Sequence, residues 1–180
     1  MRAIERLAAL VSGIAGAVAS AATVLCLVLI CWSVVARYLF GTPQPWIDKT
    51  AGWLVVALVL LGAPEAQRRF EHIGVDIAVR RIGPRLAWLS RLLGVVSVAV
   101  VAAILLDAGI EAVSFSRLVG LMTDVEGVPQ WWIQLLLPIG AAVLLLVALV
   151  QALALLTGRE PPYLPRGEEE LPRDTLARGE

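Results

Sequence analysis

Four long apolar blocks, at 7–35, 46–66, 86–110 and 131–156, restrict this chain more than any other feature. A helix needs about 20 apolar residues to cross roughly 30 Å of hydrocarbon, and each block meets or approaches that length. Of 180 residues, 59% are hydrophobic and only 17% charged. A soluble domain carries more charge, spread more evenly. The connections between blocks are too short to hold an aqueous domain. The expected fold is an all-α integral membrane protein with four transmembrane helices, near 8–36, 46–66, 86–112 and 131–156. Together they form one membrane domain over 1–158. The segment 159–180 is rich in Pro, Arg and Glu, and a disordered cytoplasmic tail is expected there.

The net charge is zero, so orientation must come from where the cations sit. With the N-terminus in the cytoplasm, Arg2, Arg6, Arg68, Arg69, Arg80, Arg81, Arg85, Arg91 and the tail arginines lie inside. Arg37, Lys49 and Arg117 then lie outside, beside Asp48, Asp124 and Glu126. The opposite orientation reverses this bias, so both termini are expected in the cytoplasm. Arg2 and Arg6 before an apolar run, with Ala19-Ser20-Ala21 beyond, resemble a secretory signal. The run continues to Val35, longer than a signal's hydrophobic region, and a retained first span is expected.

Small residues recur every four positions in this span, as Ala8, Ser12, Gly16, Ser20 and as Ala9, Gly13, Ala17, Ala21. In lipid such stripes let helix backbones approach closely. Cys26 and Cys31 share the same helix, too far apart for a disulfide; they read as core fillers. Arg37 ends the span, where a cation snorkels to the headgroups or pairs with Asp48 across the turn, or with Asp107 or Glu111 on the third span. Tyr38, Phe40, Trp46 and Trp53 form an aromatic belt, and Pro43 and Pro45 keep the turn extended. Pro64 interrupts the hydrogen-bond ladder near the end of the second span, and Glu65 there faces Arg68 and Arg69.

Between 71 and 85 the chain is too polar to span and too apolar to float. Asp76 is placed to cap a short interfacial helix, about 76–83, lying on the cytoplasmic surface. His72 is the only histidine, too few for paired haem ligation. Pro84 suits the first position of the third helix. Asp107 and Glu111 lie one turn apart on it, where ion binding competes with structural pairing or a partner contact. Trp131 and Trp132 anchor the fourth span, and Pro138 with Gly140 predicts a bend in it.

Phosphate-binding loops, metalloprotease motifs and nucleophile elbows are absent from the sequence. No span is broken in matching positions of two halves, as a self-sufficient transporter would often show. No cofactor, catalytic group, metal site, substrate site or nucleic-acid partner is implied.

Several motifs in fixed order carry a family resemblance. Arg37-Tyr38-x-Phe40-Gly41 closes the first helix, and Pro45-Trp46-x-Asp48 opens the second. Gly62-Ala63 with Ala66 and Arg68 close it, and His72-Ile73-x-Val75-Asp76 follows. Pro129-x-Trp131 and Pro138-x-Gly140 complete the set. In order and spacing the chain resembles the small membrane subunit of tripartite ATP-independent periplasmic (TRAP) transporters. One position departs from that pattern: Lys49 stands where the family usually has a second acidic residue.

The resemblance implies a non-catalytic subunit of the bacterial inner membrane. Its partners would be the lipid bilayer, a large membrane subunit that holds the sodium and substrate sites, and a periplasmic solute-binding protein that delivers an organic acid. Two alternatives stay open at this level: the small subunit of a tripartite tricarboxylate transporter, and the membrane anchor of a redox complex. The candidate interface residues are Arg37, Tyr38, Trp46, Asp48, His72, Asp76, Asp107 and Glu111. A fluorescent reporter fused to the C-terminus is expected to be active in the cytoplasm, and a periplasm-dependent phosphatase fused at the same point inactive.

Overall fold

The computed structural model describes residues 2–69, 84–123, 125 and 127–157. Among them the regular structure is helical, apart from an isolated bridge between Met122 and Pro129. Helix α1 is Arg2–Tyr38, α2 Pro45–Arg69, α3 Pro84–Val119, α4 Gln130–Gln134 and α5 Leu136–Leu156. Four helical stretches are long and apolar enough to cross a membrane: Ile4–Tyr38, Pro45–Arg69, Trp88–Val119 and Gln130–Leu156. Each begins or ends beyond the corresponding apolar block. The interfacial helix at 76–83, His72, Asp76 and the tail at 159–180 lie outside the described residues.

Local chemistry sets the helix ends. Arg37 stands in the last turn of α1 and Asp48 in the first turn of α2, each the charge its helix dipole favours. Pro84 opens α3. Gly120 closes it at φ 69°, with the Leu121 N–H donating to the Ser116 carbonyl over 3.0 Å. That is the left-handed glycine stop common at helix C-termini. In the fourth span, where a bend is expected, α4 and α5 are separated at Leu135, whose backbone stays helical at φ −58° and ψ −25°. The cause of the separation is three residues on: Pro138 has no N–H to offer the Gln134 carbonyl, and its ring crowds that oxygen.

Helices α1 and α2 form one hairpin, and α3 packs on α5 to form the other. α2 and α5 join the two hairpins, and α1 also reaches α5. One end of the bundle holds the two hairpin turns; the other holds the start of α1 and the end of α5.

The buried seams follow a seven-residue repeat. On α1 the rows are Ala8, Ala15, Ala22, Ala36 and Ser12, Ala19, Cys26, Ser33. On α3 they are Val95, Ala102, Gly109 and Ser116. A 3.5-residue average keeps a seam facing its neighbour, as in left-handed helix packing. The four-residue stripes expected on α1 therefore drift off the interface. Ala8 and Ser12 are buried, whereas Ser20, Ala17 and Ala21 face outward. The small residues do pack, but along a different line.

Two prolines and two glycines set the closest approaches. Pro64, fully buried, leaves the Leu60 carbonyl without its usual donor four residues on. Gly140 of α5 sits against that carbonyl, so close that a Cβ there would lie 2.6 Å from the oxygen. On the other face Pro138 fits against Gly109 of α3, where a Cβ would lie 2.9 Å from the ring Cδ. Gly140→Ala is expected to destabilise the bundle by about 1–3 kcal/mol, because the obstructing atom is backbone and cannot rotate away. Gly13→Ala, which meets nothing within 4 Å, should leave the thermal midpoint in detergent unchanged or raise it.

Candidate functional site

The polar side chains gather in small groups along the bundle, and most of these groups join two helices. At the hairpin end, Asp48 on α2 is held by two residues of α1. The Ser33 hydroxyl donates to Oδ1 over 2.5 Å, and the Arg37 guanidinium donates to Oδ2 over 2.7 Å. Ser33 is buried, whereas the Arg37 and Asp48 side chains are about half exposed, at 50% and 47%. Of the pairings open to Arg37 in the sequence, the structure shows the one to Asp48.

Nearby, the Trp46 indole donates to Gln44 over 3.0 Å. The Trp46 and Tyr38 side chains both face outward. On the second hairpin the Ser116 hydroxyl donates to the Gln134 Oε1, tying the end of α3 to α4. Arg117 lies over the Trp131 ring, 4.9 Å from its centroid, and Trp131 meets Trp132 edge to face. Amphipathic rings and cations of this kind belong at the membrane–water boundary.

At the termini end, Gln67 of α2 and Gln151 of α5 are buried face to face. The Gln67 amide donates to Gln151 Oε1, and the Gln151 amide donates to the Gln67 carbonyl, both over 2.9 Å. The Gln151 amide thereby ties α5 to a carbonyl in the last turn of α2. Beside it, Glu65 binds Arg68 through two hydrogen bonds and Arg69 through one of 2.8 Å. Gly16 of α1 clears space for the Glu65 stem, whose Cβ would be 3.1 Å from an added methyl. Across the bundle, the Trp88 indole donates to the Leu155 carbonyl over 3.2 Å.

Asp107 and Glu111 stand on the exposed side of α3, away from the Val95–Ala102–Gly109–Ser116 seam. They have no hydrogen bond or ion pair with the described residues. Asp107 is ~18 Å along the helix from Val119, at ~1.5 Å per residue. An outward carboxylate so far from the helix end is costly in lipid and calls for a partner.

The structure thus joins Arg37 to Asp48 and leaves Asp107 and Glu111 apart from them. Sequence reasoning missed Gln67, Gln151, Ser33 and the Ser116–Gln134 pair. Gln151 did carry a signal, as the single polar residue between Leu136 and Leu156. Among the described residues, no group of His, Cys, Asp and Glu is placed to hold a metal ion.

The family model described as "Tripartite ATP-independent periplasmic transporters, DctQ component" matches residues 25–158. That range runs from the second half of α1 past the end of α5. No curated protein matches the chain.

Two variants separate the buried clasp from the exposed pair. Gln151→Leu removes both hydrogen bonds that tie it to Gln67 across a buried contact, and should cost about 1–3 kcal/mol in detergent unfolding. A double-mutant cycle on Arg37 and Asp48 should give a coupling of at most about 1 kcal/mol, as for half-exposed ion pairs. Asp48→Ala should nonetheless cost more than Arg37→Ala, since it also deprives buried Ser33 of its acceptor.

Proposed function

The chain belongs to the DctQ component family of tripartite ATP-independent periplasmic transporters, and from that premise we propose that it is the transporter's non-catalytic brace. The four spanning-length helices and the family make it a multi-pass membrane component of such a transporter. In this proposal it sits in the bacterial inner membrane with both termini in the cytoplasm. It enlarges and steadies a large permease subunit, which performs sodium-coupled uptake of an organic acid delivered by a periplasmic binding protein.

One observation carries the bracing role. Every buried side-chain nitrogen and oxygen among the described residues already has a partner within the chain. Ser33, Gln67, Ser116 and Gln151 are spent on holding helices together. An ion or carboxylate crossing a membrane needs groups that exchange hydration for coordination. Paired groups locked between helices do not supply them.

The outward polar groups have a different use. Asp107 and Glu111, exposed within a spanning helix, are assigned to contact with the large subunit. Arg37, Asp48, Tyr38 and Trp46 position the periplasmic end of the first hairpin. His72 and Asp76, by their place in the family motif, organise the exit from the second span. The family match favours this function over a tricarboxylate-type subunit or a redox anchor.

Deleting the gene should abolish uptake of the cognate organic acid, and the protein should co-purify in detergent with a much larger membrane protein. Arg37→Ala is expected to lower assembly or uptake more than Lys49→Ala does. Wild-type uptake in the deletion strain would remove the assignment.

A further inference from the structure

A cleft of about 450 Å³ opens at the hairpin end between α2 and the segment leading into α4. Lys49 and Trp53 form one wall, Met122 and Thr123 the loop side, and Gln130 and Gln134 the other wall. The cleft's volume falls within the roughly 300–1,000 Å³ usual for small-molecule sites. We infer that this cleft binds the phosphate headgroup of an anionic phospholipid.

The donors point to an anion. Gln134 uses its Oε1 to accept from Ser116, which leaves its Nε2 amide, a donor only, for the cleft. The Trp53 indole is likewise a donor only, and neither it nor the Gln130 amide has a partner among the described residues. Lys49 brings positive charge to the same wall while holding a contact of its own. The adjacent carboxylate, Asp48, is occupied by Ser33 and Arg37 of α1. No acidic side chain is found among the described residues of the lining.

Depth points to a lipid. The cleft lies beside Trp131, Trp132 and Arg117, the residues that mark the headgroup level on this side of the bundle. Met122 and Ile133 add apolar lining suited to a glycerol backbone and the first methylenes. A phosphate here meets amide, indole and ammonium donors above, and its acyl chains follow the apolar helix surface into the bilayer.

The test uses the full chain in detergent, read by native mass spectrometry. Phosphatidylglycerol is titrated against diacylglycerol of the same acyl chains, with inorganic phosphate as a soluble competitor. The expected result is one retained phosphatidylglycerol that millimolar phosphate does not displace, with diacylglycerol retained poorly. Gln134→Glu keeps the acceptor for Ser116 but replaces the donor with a carboxylate. Trp53→Phe removes only the indole N–H and guards against a folding defect in the first variant. Each should weaken retention about fivefold or more, the effect of roughly one lost hydrogen bond, with an unchanged circular-dichroism melt. Ser97→Ala, on the exposed face of α3, should bind as wild type. Equal retention of diacylglycerol, displacement by inorganic phosphate, or wild-type binding by both cleft variants would overturn the inference.

Discussion

The carbonyl of Leu60, deprived of its helical donor by Pro64 and pressed against Gly140, fixes how near α2 and α5 can lie. The two hairpins of the bundle meet across these helices. In hydrocarbon the lipid tails are as apolar as the side chains, so burial of apolar surface gives helices little reason to associate. Close backbone approach and internal polar contacts have to supply the attraction. Gly140 lets its helix come near enough for weak Cα–H···O contact with the freed oxygen. Gly109 does the equivalent for the Pro138 ring on the opposite face. A proline on one helix and a glycine on its neighbour thus form each of these two close crossings.

The polar contacts complete what these crossings begin. Asp48 links the first hairpin near its turn, and the glutamine pair links α2 to α5 near the termini. A buried amide pair of this kind resists sliding, because any shift strands donors in a medium that cannot replace them. The result is an assembly whose described outward faces are mainly apolar, with Asp107 and Glu111 exposed on α3. Such an object is suited to being held against something larger. Its described interior polar groups are spent, and the proposed contact with a large subunit falls to its exterior carboxylates.

Much of this could be read in advance. Block length and composition give four helices, and Pro84 and the Arg37 and Asp48 termini follow from helix-end chemistry; the Gly120 stop went unread. Pro138 marked the interrupted span, although α4 and α5 separate at Leu135, where the proline acts on the preceding turn. Partners distant in the sequence were not legible. Gln67 and Gln151 are separated by 84 positions, and nothing local to either names the other. The small-residue stripes on α1 show why period matters. A four-residue spacing looked like an interface, yet helices that wrap left-handed bury a seam averaging 3.5 residues, so Ala17, Ser20 and Ala21 end up facing out. Asp48 was legible as a partner of Arg37, but Ser33 was hidden among apolar neighbours.

In the proposed function these helices support transport without conducting it. Uptake of a radiolabelled organic anion, driven by an inward sodium gradient into liposomes holding this polypeptide alone, tests that claim most directly. The account predicts uptake no greater than in protein-free liposomes. Sodium-dependent accumulation by the isolated chain would contradict it.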